Sequence, residues 1–126
     1  MDVHCWFAVK RRGWALIGDV EVAVRQALMQ VAERHGIGLL EVQCMVDHVH
    51  MVLNLDDPRM LPSAMHLLKG ASARSVFQAM PELKLDLGTE SLWQRGYAFR
   101  PVDARALPTV LKYVRTQQAR PEKYER

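Results

Sequence analysis

The chain has 126 residues, of which 17 are Lys or Arg and 14 Asp or Glu, for a formal net charge of +3. This is the size of one domain, 1–126, with 49% hydrophobic residues for an ordinary core; the mild basicity permits a nucleic-acid partner without demanding one. Two cysteines without C-x-x-C spacing argue against a cysteine zinc site, and Lys10, Arg11 and Arg12 interrupt the N-terminal segment, arguing against a signal peptide or membrane span.

Val3 to Lys10 alternates, placing Val3, Cys5, Phe7 and Val9 on one strand face and His4, Trp6, Ala8 and Lys10 on the other. Asp19 is a candidate cap for a helix with the stripe Val20, Val24, Ala27, Leu28 and Val31, stopped at Gly36. Ile37 to Met45 reads as a second strand, with Leu40, Val42 and Cys44 on its core face and Glu41 and Gln43 on its polar face. A tight turn at Val46-Asp47 leads into a third strand, 48–55. In the simplest hairpin register Gln43 lies across from His50. Cys5 and Cys44 fall on apolar faces and read as buried free thiols.

Asp56-Asp57-Pro58 breaks the strand. A second helix is expected over about 61–80, with Pro62 in its first turn and the stripe Leu61, Met65, Leu68, Ser72, Val76 and Ala79. Pro81 to Ser91 reads as a loop, and Leu92 to Val102 as a fourth strand weakened by Gly96. A last helix is expected over about 107–119, with Pro108 in its first turn and a flexible tail over 119–126. The order βαββαβ predicts an α+β ferredoxin-like sandwich: an antiparallel sheet with two helices on one face, plus a C-terminal helix. That helix is left to cover the other face.

The third strand carries the chemistry. His48-Val49-His50 puts two imidazoles on one face, with Val49, Met51, Leu53 and Leu55 on the other. Same-face neighbours are roughly 7 Å apart, close enough for both rings to meet one metal ion. On the last helix Tyr113 and Gln117 are four apart, on one side and at the rim of the stripe Leu107, Val110, Leu111 and Val114. A phenol there can act as a nucleophile, and an amide oxygen can ligate a hard cation. Two histidines, one glutamine oxygen and open positions leave room for a substrate phosphate.

In order along the chain stand His4-Cys-Trp-Phe, Asp47-His48-Val49-His50, Leu68-Lys69-Gly70-Ala-Ser72-Ala-Arg74, Leu92-Trp93-Gln-Arg-Gly96-Tyr97 and Lys112-Tyr113-Val-Arg-Thr-Gln117. Together they resemble the single-tyrosine HUH transposases of the insertion-sequence 200/605 class over nearly the full length. The resemblance implies cleavage and rejoining of single-stranded DNA at transposon-end hairpins by a homodimer, while the lack of a signal-peptide or membrane-span pattern predicts a cytoplasmic protein. It implies a 5′-phosphotyrosine intermediate on Tyr113. It also implies a divalent metal, Mg2+ or Mn2+, held by His48, His50 and Gln117. No Walker-type loop is present, and covalent linkage conserves the phosphodiester energy, so no nucleotide cofactor is expected.

Lys10, Arg11, Arg12, Lys69, Arg74 and Arg95 are candidate phosphate contacts, and Trp6 and Trp93 candidate stacking platforms for unpaired bases, with core packing an equal alternative for each. His4 reads as a packed or substrate-side residue rather than a ligand. Tyr97 alternates with Trp93 and Phe99 and reads as packing, while Tyr124 lies in the charged tail. Three rival readings have distinct signatures. A non-catalytic hairpin-binding module would bind without Tyr113 or metal. A host-adopted, repeat-associated relative would keep the chemistry and lose mobility. A phosphohydrolase using water would tolerate Tyr113→Phe.

Overall fold

Residues 1–10, 15–88 and 90–116 are described in the computed structural model of the chain. Strand β1 (Asp2–Ala8) leads to helix α1 (Gly18–Arg34) and then to the hairpin β2 (Gly38–Met45) and β3 (His48–Asn54). Helix α2 (Leu61–Ala79), a short helix α3 (Leu83–Leu87), strand β4 (Ala98–Val102) and helix α4 (Leu107–Arg115) follow. The strands form one antiparallel sheet in the order β2-β3-β1-β4. This is the ferredoxin-like sandwich that the pattern predicts, with the additional helix at its end.

The core forms because period-two and period-3.6 apolar patterns meet. Val3, Cys5 and Phe7 of β1 and Val49, Met51 and Leu53 of β3 are buried with Val24, Leu28 and Val31 of α1 and Met65, Leu68 and Val76 of α2. Each large aliphatic buried there contributes about 1.5–3 kcal/mol. Cys5 and Cys44 are buried free thiols, and burial pushes both up to about 12, which keeps them protonated and unreactive. The helix α1 stops as the sequence suggests, with Gly36 at φ 66 and its N–H donating to the Glu33 carbonyl. Asp19 is not its cap: Ile17 holds that position, and Asp19 lies in the first turn, where its charge still faces the positive helix end.

Three further expectations change. Leu40 leaves the core face and is 44% exposed, because the β2–β3 register slips between Leu39 and Glu41. Leu39 pairs with Leu53 instead, and the slip restores Gln43 to its place opposite His50. The fourth strand begins only at Ala98; Trp93 makes one isolated bridge to Val9, and Gly96 at φ 80 then turns the chain off the sheet. The segment read as a loop contains α3, anchored by buried Leu83 and ended by Gly88 at φ 67.

Gly38 is required by its neighbour. A Cβ there would lie 2.8 Å from the backbone oxygen of Asn54, its partner across the ladder. Backbone cannot rotate away, so Gly38→Ala is expected to lower unfolding free energy by about 1–3 kcal/mol, measurable by urea denaturation.

Helix α4 lies against β2 and β3, and Val114 on it is fully buried. It covers the face opposite α1 and α2, so Val52 is also fully buried although it alternates away from the main core. Among the described residues no helix is long and apolar enough to cross a membrane.

Candidate active site

The alternation of β1 and β3 sends His4, Trp6, His48 and His50 to the face under α4. His4 pairs with Val52 and Trp6 with His50, so His4 reaches His50 diagonally across the ladder. The three imidazoles and a carboxylate form one chain. His4 Nε2 is 2.9 Å from His50 Nδ1, His50 Nε2 is 3.1 Å from His48 Nε2, and His48 Nδ1 is 2.6 Å from Asp47 Oδ1. Asp47 and His4 are both buried.

This geometry suits a cation. Nitrogen ligands bonded to one ion at tetrahedral or octahedral angles stand roughly 3 Å apart. The facing Nε2 atoms of His48 and His50 meet that spacing, while each far nitrogen already has a partner. The Asp47–His48 contact is the carboxylate–histidine arrangement that fixes the orientation of a ligating ring. Burial holds the His50 imidazole down at about 3, aided by His48, His4 and Arg100, and burial with Arg100 holds His4 down at about 4. Both rings are therefore neutral near pH 7, the form that offers a lone pair to a cation. Among the described residues no group of three or more His, Cys, Asp or Glu is arranged to hold a metal. The histidines thus form a pair that needs a further ligand from elsewhere. Gln117, the expected third ligand, lies outside the described residues, as do Arg11 and Arg12.

Tyr113 overhangs the cluster. Its ring centroid is 6.4 Å from that of His4, edge-on, and the residue is 43% exposed. The helix that carries it is fastened at its end to the edge strand β2 of the sheet. Gln43 Nε2 donates to the Arg115 carbonyl at 2.7 Å, and Arg115 Nε donates to Glu41 Oε2 at 2.9 Å. Arg25 of α1 fixes the Gln43 amide by donating to its oxygen at 2.9 Å. The sequence placed Gln43 beside His50; its role in holding α4 required the register and the helix position together.

Arg100 was not singled out from the sequence. It lies beside His4 on β4, exposed, with its guanidinium 5.4 Å from the centre of the half-buried Trp6 ring. Its signal is strand parity, which is hidden until β4 is known to begin at Ala98. Among the described residues no salt bridge engages it.

The other candidates are dispersed. Arg74 and Arg95 are exposed and Lys10 is half-buried, whereas Lys69 donates to the Gln94 and Gly96 carbonyls at 2.8 and 2.6 Å. Lys69 therefore ties α2 to the loop before β4. Lys69 and Arg74 belong to α2, on the sheet face away from the histidines.

Trp93 is corrected from stacking platform to core residue. It is buried, edge-on to Phe7 at 4.6 Å, and its Nε1 donates to Ser72 Oγ at 3.0 Å. Ser72→Ala would leave that indole N–H without its acceptor. The expected cost is about 1–3 kcal/mol in denaturant unfolding.

A family profile described as "Transposase IS200 like" matches residues 1–117. The ISDra2 transposase TnpA of Deinococcus radiodurans is 32% identical over 117 residues, covering 93% of this chain and 84% of that protein. The transposase for insertion sequence element IS200 of Salmonella typhimurium is 33% identical over 94 residues, covering 75% of this chain and 62% of that protein. A crystal structure of a Deinococcus radiodurans R1 protein assigned as a transposase superposes with a TM-score of 0.76 at 29% identity, covering 93% of this chain and 90% of that one. A tyrosine transposase bound to a REP hairpin shares the fold, with a TM-score of 0.66 at 13% identity, over 94% of this chain and 67% of that one.

Proposed function

The chain belongs to the IS200-like transposase family, and from that premise we propose that it cuts and rejoins single-stranded DNA at hairpin-bearing ends through a covalent bond to Tyr113. The observation that carries the reading is the pair of His48 and His50 Nε2 atoms facing each other at 3.1 Å beneath the tyrosine helix.

In this reading His48 and His50, with Gln117, hold a divalent cation, Mg2+ or Mn2+. When bound, the cation neutralises the scissile phosphate and stabilises the departing oxygen. Tyr113 Oη forms a bond to phosphorus as the bond from phosphorus to the 3′ oxygen breaks. The phenolic proton departs and the 3′ oxygen gains one, leaving a 5′-phosphotyrosine and a free 3′-hydroxyl. The reverse step reseals a strand without a nucleotide cofactor, because the phosphodiester energy is retained in the link. Trp6 and Arg100 offer a ring and a cation for an unpaired strand crossing this face. Arg74 and Arg95 remain candidate contacts for the DNA backbone, which supplies affinity without sequence information. The protein acts as a homodimer in this reading, and the REP hairpin complex of the distant structural neighbour makes hairpin DNA the substrate to test first.

The test is incubation with end-labelled single-stranded hairpin oligonucleotides and Mn2+ or Mg2+, followed by a denaturing gel. The expected product is a protein–DNA adduct on the fragment whose 5′ end was created by cleavage. Cleavage without an adduct would assign the reaction to water. Hairpin binding without any cleavage would leave a binding module.

A further inference from the structure

The His4 contact has no role in the reaction just described, yet it touches the central ring of the cluster. His4 is 3% exposed, and its Nε2 meets His50 Nδ1, the nitrogen on the far side of the ring from the Nε2 that faces His48. It is therefore not placed as a third ligand, since the His50 ring stands between it and the His48 Nε2.

Proton placement decides what the contact does. With His48 Nδ1–H donating to Asp47, His48 Nε2 is an acceptor. Without a cation, the 3.1 Å approach of the two Nε2 atoms is satisfied if His50 carries its proton on Nε2 and donates to His48. His50 Nδ1 is then an acceptor, and His4 must donate to it. With a cation between the Nε2 atoms, His50 needs a lone pair there and its proton on Nδ1. His4 must then accept. The partner of His50 has to be a donor in one state and an acceptor in the other, and a neutral imidazole is a group that can be either.

We propose that His4 is a positioning residue for cation binding, switching from hydrogen-bond donor to acceptor so that His50 can turn its lone pair toward His48. Neither ring gains or loses a net proton; each moves one between its own nitrogens through solvent exchange. Asp47 does the corresponding work for His48 in one direction only, because a carboxylate always accepts there. The inference rests on His48 and His50 being the cation pair.

The experiment measures Mn2+ affinity by titration calorimetry in the parent and in three variants, with circular dichroism confirming the fold. His4→Phe fills the space but offers no partner, and a loss of about 10–100-fold in affinity is expected, the range typical of outer partners of ligating histidines. His4→Gln can donate or accept by turning its amide and is expected to restore most of that affinity. His4→Lys can only donate and is expected to bind as poorly as His4→Phe or worse. In parallel, 15N-detected NMR of the histidine rings with Zn2+ as a diamagnetic probe should show the His50 proton moving from Nε2 to Nδ1. Equal Mn2+ affinity in His4→Phe and the parent overturns the inference while leaving the proposed function intact. A direct Zn2+ shift at His4 Nε2 overturns it by making His4 a ligand. No Mn2+ binding by the parent removes both readings.

Discussion

Tyr113→Phe protein is expected to bind hairpin DNA as the parent does and to form no covalent adduct. The substitution removes one oxygen from a side chain that is 43% exposed on α4, so the helix and its fastening through Arg115 are untouched. Surface changes of this kind usually alter stability by less than about 0.5 kcal/mol. The chemical effect is large because phenylalanine has no atom that can form the bond to phosphorus. Adduct formation should fall by roughly 10³-fold or more, as when other enzymes lose their nucleophile. End-labelled oligonucleotides on a denaturing gel measure it directly. Adduct at the parental level in this variant would move the nucleophile elsewhere. Tyr97 is a poor substitute, since it is half-buried and packs against the core, and Tyr124 lies outside the described residues.

His50→Ala is the second large effect. His50 faces His48 through one nitrogen and His4 through the other, so its removal deletes a proposed ligand and breaks the chain of imidazoles in the middle. Mn2+ affinity is expected to drop by on the order of 10²-fold or more, with cleavage lost in parallel. Calorimetry and the adduct assay report these separately, and an unchanged Mn2+ affinity would remove His50 from the site.

The same variant has a pH signature in the absence of metal. His50 is held at about 3 in the folded protein against 6.5 for an ordinary histidine, chiefly by burial. Between those values the unfolded chain binds the proton more readily. The stability present above about pH 6.5 is therefore lost progressively as pH falls toward 3. His4, held at about 4, acts in the same direction. Parent protein should show a markedly lower Tm near pH 4.5 than near pH 7.5, and His50→Ala a smaller difference. Scans at the two pH values check this, and an equal drop in both proteins would show that other groups govern acid sensitivity.

The histidine pair was legible in the sequence because a strand has a period of two. His48 and His50 must share a face, and Val49, Met51 and Leu53 decide which face by being buried. Tyr113 was legible for the corresponding helical reason: Val114 is drawn into the interface with the sheet, which leaves its neighbour at the rim. The helix caps, bulge and fourth strand were less legible. Leu40 has the composition of a core residue, and only the pairing of Leu39 with Leu53 shows that it is displaced. Trp93 has the composition of a stacking residue, and only its contact with Ser72 shows that it is packed.

The sequence by itself therefore determined the order of elements, the two-layer core and the face on which the imidazoles lie, because each follows from local periodicity. Tertiary structure decided what touches what across that face. His4 reaches His50 because β1 inserts beside β3, and Arg100 reaches Trp6 because β4 pairs on the other side of β1. Gln43 secures the tyrosine helix because α4 folds back over the β2–β3 hairpin. Those contacts join residues far apart in the chain, and no local pattern encodes a register between strands that are not neighbours in sequence.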